Sequence, residues 1–272
     1  MHGLGNDFMM VDLISQPVTL NPKLIKELSD RRFGIGFDQL LTVRPPARPD
    51  SDFRYTIYNA DGSEAEQCGN GARCFLGFVR DEGLTTKSTI RLETSNGNIT
   101  CKLGKDGNVT VDMGKPALQP GKVPFVADSP QINYQLSLGP EYPDTFSISA
   151  LNVGNPHAVI TVPAVDSAPV LEAGPLVERH PRFPEGVNVG FMEVVSRKKI
   201  RLRVFERGVG ETRACGSGAC AAVVAGILQG VLDDTVDVEL TGGHLSISWG
   251  GDNGTIKMTG PTCKVYEGRL QI

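Results

Sequence analysis

The feature that most limits what this chain can fold into is a repeat. Cys68-Gly69-Asn70-Gly71-Ala72 returns 147 residues later as Cys215-Gly216-Ser217-Gly218-Ala219, and a glutamate stands four residues before each cysteine, Glu64 and Glu211. The likeness spreads outward in the same order. Gly5-Asn6 returns as Gly154-Asn155 at an offset of 149, as does Gln39 as Asn188. Arg54 to Asn59 returns as Arg201 to Glu206 at 147, and Met113-Gly114-Lys115-Pro116 as Thr259-Gly260-Pro261-Thr262 at 146. A single five-residue match in a chain with 32 glycines would be weak, but several in one order at nearly one spacing are an internal duplication. Two homologous halves are therefore expected, residues 1–147 carrying Cys68, with the C-terminal strand packing against it, and 148–272 carrying Cys215. They meet just after the Pro-rich stretch 116–143.

Local pattern places the repeated motifs. Phe53, Tyr55 and Ile57 alternate with Arg54, Thr56 and Tyr58, and Ile200, Leu202 and Val204 alternate with Arg201 and Arg203. Period two predicts strands with one buried face. Each is followed by a Gly-rich loop, the cysteine and an apolar stretch that predicts a helix, 71–80 and 218–229. The second helix is small and apolar all round, which predicts burial on every side. Further strands are expected at 89–93, 98–103, 108–112, 148–151, 157–162, 188–194, 236–240, 244–248 and 255–258. Asn96-Gly97, Asp106-Gly107 and Asn253-Gly254 are hairpin signals. The expected fold class is α+β. Each pseudo-symmetric half is a curled, barrel-like, mostly antiparallel sheet around a central helix, with the active site in the cleft between the halves.

Composition closes off other classes. With 272 residues, 40% apolar and 21% charged, the chain is globular. A net charge of −4 with no basic block argues against nucleic acid as a partner. The longest apolar run, 219–228, is too short for a bilayer, and the N-terminus lacks a basic leader, so a cytoplasmic protein is expected. Six cysteines without C-x-x-C knuckles fit neither a disulfide scaffold nor a zinc site.

Cys68 and Cys215 each stand where a loop becomes a helix N-terminus. Free N–H groups and the helix dipole favour negative charge there, so a lowered thiol pKa is expected, and the flanking glycines let backbone N–H groups approach a carboxylate. Cys74, Cys101, Cys220 and Cys263 have no such context and read as small hydrophobes. If the halves face each other, the two sulfurs flank one ligand. A thiolate on one face and a thiol on the other is what inversion of a carbon with a weakly acidic proton requires, each with a pKa near working pH. A carbanion beside a carboxylate would be stabilised by the helix-end N–H groups. Redox dithiol, cysteine protease, serine hydrolase and nucleotide-binding signatures are all missing from the sequence.

Taken together, His2-Gly3-Leu4-Gly5-Asn6-Asp7-Phe8, Asp61-Gly62-Ser63-Glu64 leading into Cys68-Gly69-Asn70-Gly71, Gly154-Asn155-Pro156-His157, and Glu206-Arg207-Gly208-Val209-Gly210-Glu211-Thr212 leading into Ala214-Cys215-Gly216-Ser217-Gly218 resemble the diaminopimelate epimerase family over essentially the whole chain. The resemblance implies an isomerase without pyridoxal phosphate, metal or other cofactor. It would interconvert LL- and meso-diaminopimelate, a small-molecule substrate, in lysine and cell-wall precursor synthesis. By motif, Cys68 and Cys215 would be the acid–base pair, assisted by His157 and Glu206. Substrate binding would fall to Asn6, Gln39, Asn59, Gly69, Asn70, Asn155, Asn188, Glu206, Arg207, Gly216 and Ser217. A homodimer is implied too, with Tyr266 at its interface.

The residues themselves support part of this. Asn and Gln both donate and accept, so they suit an ammonium and a carboxylate; Arg207 offers a fork for a carboxylate and Glu206 an anion for an ammonium. Read alone, Asn6 and Asn155 are equally well turn residues, Arg207 a solvated loop charge, and His157 a structural histidine at a strand start. Glu64 and Glu211 read as supports or surface charges. A proline or hydroxyproline racemase on the same fold is the competing enzyme reading, disfavoured because its substrate has no distal end to recognise. A non-catalytic amino-acid-binding protein would have no use for both cysteines.

Overall fold

The computed structural model describes residues 1–16, 18–65, 69–95, 97–140, 142, 145–251 and 254–271. Cys68 lies outside the described residues, as do Asn96 and Asn253 of the hairpin signals. The chain divides into two compact units, Met1–Asp112 with Thr259–Ile272, and Met113–Met258.

The first unit is built on a strand ladder. Asn6–Asp12 runs parallel to Gln39–Arg44, with Phe8 opposite Gln39. Gln39–Arg44 then pairs antiparallel with Phe53–Asn59, placing Gln39 opposite Asn59. Phe53–Asn59 pairs with the short strand Glu64–Ala65 and runs parallel to Thr89–Thr94, with Phe53 opposite Leu92. Two hairpins follow, Thr89–Thr94 with Gly97–Leu103 and Gly97–Leu103 with Val109–Asp112. The Asp106-Gly107 signal sits at the second.

The second unit repeats this ladder in register. Pro156–Thr161 runs parallel to Asn188–Ser196, with His157 opposite Asn188, the counterparts of Phe8 and Gln39. Asn188–Ser196 pairs antiparallel with Lys199–Glu206. Val204 faces Thr212 as Ile57 faces Ala65. Ile200 faces Val238 across a parallel pair as Phe53 faces Leu92, and Val238 faces Leu245 as Leu92 faces Ile99. Most pairings in each unit are antiparallel, as expected. Gly5 and Gly154 both take positive φ, 89° and 102°, just before the asparagines that open the two ladders. That conformation suits glycine.

Each ladder curls over a helix. In the first unit, α1 spans Pro22–Ser29 and α2 spans Gly69–Asp81. The alternation read from the sequence holds: Phe53, Tyr55 and Ile57 are buried, and the Phe53 and Tyr55 rings meet Phe75 of α2 edge-on. In the second unit, α3 spans Val170–Glu178 and α4 spans Gly216–Leu228. Ala219 through Ala225 of α4 are all fully buried, so this helix is central on every side.

Three features departed from expectation. The anticipated junction near 147–150 falls inside the strand Thr145–Asn152, which pairs with Tyr134–Ser137 on one side and Pro156–Thr161 on the other. A strand held on both edges is no linker, and the compact units divide at 112/113 and 258/259 instead. Helices α1 and α3 were not foreseen. In α1 the Asn21 side chain caps Leu24 N–H at 2.9 Å, ahead of Pro22 in the first turn. In α3 the sequence hides behind Gly174 and Pro175.

Because α4 is packed with small residues on all faces, Ala221→Leu forces extra methylenes into a filled core. It is expected to cost about 1–3 kcal/mol, read as a lower urea midpoint at an unchanged slope.

Candidate functional site

Cys215 is the N-cap of α4, 5% exposed. Its Sγ accepts from Gly218 N–H at 3.3 Å and lies 3.5 Å from Ser217 Oγ. Glu206, the last residue of Lys199–Glu206, is held by the Thr212 hydroxyl, and its charge acts on the Cys215 thiol. The thiol pKa is pushed well up, first by burial and then by the Glu206 charge, against the opposing pull of Ser217 and Gly218 N–H. This corrects the expectation of a lowered value. A helix N-terminus favours thiolate only where solvation does not penalise it more. Cys215 rests as a thiol with a carboxylate beside it to receive its proton.

His157 follows the Gly154-Asn155 turn and is fully buried. Its Nε2 meets Asn155 Oδ1 at 2.9 Å. With that oxygen as acceptor, Nε2 carries the proton and Nδ1 is left as a lone pair, with no hydrogen-bond partner among the described residues. Burial, with Arg207 adding to it, pushes the imidazole down to about 3. Asn188, opposite His157 in the ladder, gives its Nδ2 to Pro156 C=O at 3.0 Å and accepts Arg207 N–H at 3.0 Å. The Arg207 guanidinium donates to Glu185 C=O at 3.0 Å. The second unit thus gathers Asn155, His157, Asn188, Glu206, Arg207, Cys215, Gly216 and Ser217 around one end of its ladder and α4.

The first unit gathers the equivalent end. Asn70, in the first turn of α2, donates to Asn6 Oδ1 at 3.4 Å, and Asn6 donates to Asp38 Oδ2 at 3.1 Å. Gln39 donates to Asn59 Oδ1 at 3.1 Å, and Asn59 to Ser63 Oγ at 3.1 Å. Gly69 and Asn70 are buried. Asp38 was not singled out by sequence. It anchors Asn6 while sharing Arg31 with Asp7, at 2.7 Å and 2.8 Å. Thr212 was seen only as part of a motif, and its grip on Glu206 needs the turn between Glu206 and Gly210 to be folded. Glu211 is a support, bound to Arg203 through both carboxylate oxygens at 2.6 and 2.9 Å. Tyr266, in the C-terminal segment, is exposed and lines a concavity with Asp7 and Phe37.

A family model described as diaminopimelate epimerase matches residues 1–119 and 149–265. The diaminopimelate epimerases of Ectopseudomonas mendocina and Azotobacter vinelandii are each 56% identical to this chain, over all of it and 98% of their own length. The chain belongs to the diaminopimelate epimerase family. Among solved structures, a hydroxyproline epimerase from Agrobacterium vitis with bound trans-4-hydroxy-L-proline matches with a TM-score of 0.68 at 16% identity, covering 96% of this chain and 87% of that one. A Bacillus anthracis phenazine biosynthesis protein of the PhzF family matches with a TM-score of 0.66 at 17% identity, covering 100% and 95%. At such identities the likeness is one of fold.

His157 makes stability depend on acidity. Its folded value near 3 lies below the ordinary 6.5, so as pH falls through 6.5 the unfolded chain takes up a proton that the folded one refuses. This site therefore removes stability from pH 6.5 down to about 3, at a limiting slope of about 1.4 kcal/mol per pH unit, and contributes nothing above that range. The stability gap between the wild type and His157→Gln should narrow as urea titrations move from pH 7.5 to pH 5. A gap constant over that interval would contradict the assignment.

Proposed function

We propose that this chain catalyses the reaction of its family, interconverting LL- and meso-2,6-diaminopimelate in lysine and peptidoglycan precursor synthesis. The observation that carries this reading is the seating of Cys215. Its thiol is at the mouth of a helix, within the field of a proton acceptor, Glu206.

In this mechanism Glu206 takes the thiol proton and Cys215 Sγ, now a thiolate, removes the α-proton from one face of the substrate carbon. The C–H electron pair stays on the α-carbon and spreads into the adjacent carboxylate, where N–H groups at the helix N-termini offset the charge. The Cys68 thiol then delivers its proton to the opposite face, the pair forms the new C–H bond, and Cys68 is left as thiolate. The reverse reaction exchanges the roles. In the reverse direction, where the Cys68 thiol must first give up its proton, the Nδ1 lone pair of His157 takes it. Asn6, Gln39, Asn59, Gly69, Asn70, Asn155, Asn188, Glu206, Arg207, Gly216 and Ser217 bind the two amino-acid ends of the substrate. Amide side chains and backbone N–H groups take the carboxylates and ammonium groups, and the Arg207 fork favours the distal carboxylate. A cytoplasmic setting, which keeps both thiols reduced, belongs to this reading.

The same reading makes the protein a homodimer. Tyr266 is 65% exposed and Val265 and Leu270 are exposed beside it. All three line a concavity of about 600 Å³ together with Met9, Met10, Phe37 and Phe78. Such an apolar strip suits burial against a second copy. Light scattering is expected to give a dimer for the wild type and a monomer for Tyr266→Ala.

Cys68→Ala and Cys215→Ala are each expected to abolish epimerisation with little change in melting temperature. Solvent deuterium should enter the α-carbon of LL-diaminopimelate but not that of proline. Exchange with proline alone, or full turnover by either alanine variant, would overturn the proposal.

A further inference from the structure

We propose that Glu178 is a positioning residue for this reaction, holding the Glu206-Arg207-Gly208 turn in register with Cys215 and His157. The inference rests on the roles given above to Glu206 and Arg207.

Glu178 is a buried carboxylate in a costly place. It is the last residue of α3, where the helix carries its negative end, and it is 6% exposed. The ion pair it makes among the described residues is with Arg179, 3.6 Å away and largely exposed, which stabilises little. What it does bind is backbone: Oε1 accepts Gly208 N–H at 2.6 Å, a short, charge-assisted bond. Gly208 has φ +73°, so the turn relies on a residue with no strong conformational preference of its own.

The anchor is rigid at its other end. Gly174 of α3 lies so close to Phe205 that a Cβ there would come within 2.8 Å of the ring, which seats the helix directly on the residue before Glu206. The Glu178 carbonyl accepts Val187 N–H at 3.2 Å, tying α3 to the segment that also receives Arg207, through Glu185 C=O and Asn188 Oδ1. Four hydrogen bonds thus hold three successive residues of interest. Arg207 is held at N–H and guanidinium, Gly208 at N–H, and Glu206 at its carboxylate by Thr212. The bond from Glu178 ties the backbone of this turn to α3. Releasing it lets Glu206 swing from the thiol and Arg207 from its place beside His157. A shift of about 1 Å in such groups can lower a rate about 100-fold.

The test compares Glu178→Ala, Glu178→Asp and Glu178→Gln with the wild type. The readouts are kcat and KM for diaminopimelate, thermal melting, and the pH profile of Cys215 alkylation resolved by peptide mass spectrometry. Loss of the tether moves the Glu206 charge from Sγ, so Glu178→Ala should alkylate at lower pH and lose about 100-fold in kcat/KM. Glu178→Asp, with its oxygen drawn back by one methylene, should move the same way by less, and serves if the alanine variant does not fold. Glu178→Gln keeps an oxygen that can accept Gly208 N–H and should stay within about threefold of wild type in both readouts. A wild-type Cys215 profile in both Glu178→Ala and Glu178→Asp, whatever their melting, overturns the proposal, as does a Glu178→Gln profile shifted as far as that of Glu178→Ala. Absence of epimerase activity in the wild type would strike the functional reading instead, and the alkylation profiles would still decide the role of Glu178.

Discussion

Burying a helix on every face commits a fold to placing that helix's end inside too. Helix α4 can be enclosed because its residues are small: alanines, valines and a glycine let strands approach from all sides. Its N-cap is consequently a desolvated position, and Cys215 occupies it. Desolvation outweighs the pull of the helix N-terminus and the two hydrogen bonds that favour thiolate, and the adjacent Glu206 adds to it. The electrostatic setting of the sulfur is thus decided by how tightly the body of the helix is packed.

The ladders explain why polar groups collect where they do. A parallel pair begins each copy of the repeated ladder, and its first paired positions set Gln39 opposite Phe8 and Asn188 opposite His157. The next, antiparallel, pair brings Asn59 opposite Gln39 and ends the corresponding strand of the second unit at Glu206. Strand starts and ends are where side chains leave the core, so duplicating the ladder duplicates a polar rim. The rims have diverged: Phe8 stands where the second unit has His157, and Asn59 where it has Glu206. An imidazole and a carboxylate therefore stand in the second unit where the first has a phenyl ring and an amide.

How much of this was legible depended on the kind of signal. Strands with strict alternation, such as Phe53–Asn59 and Lys199–Glu206, were read correctly, because a sheet with one buried face must write period two into its sequence. The central helices were read to within about two residues, as expected of element ends. Asn6–Asp12 and Gln39–Arg44 were not assigned as strands: Leu40 to Val43 are covered on both faces and do not alternate, and the half-buried Asn6–Asp12 carries no period-two pattern. Helix α3 was missed because Gly174 and Pro175 weigh against helix locally, while the close approach to Phe205 demands the glycine. Among the site residues, those inside the repeated motifs were found, whereas Asp38 and Glu178 were not. Each reaches its partner from about 30 residues away in sequence, at no spacing that a motif records.

The sequence by itself determined that there are two copies of one architecture, that Cys215 heads the helix of the second, and which family the chain resembles, because duplication, period and local motif are properties of order along the chain. Only the tertiary structure decided that Cys215 is a thiol at rest, that Glu206 is the group against it, that His157 keeps a bare nitrogen, and that a carboxylate on another helix braces the turn between them. Those are matters of burial and of contacts between residues distant in order, and electrostatics in a low-dielectric interior depends on distance and solvent, neither of which is written in a linear pattern.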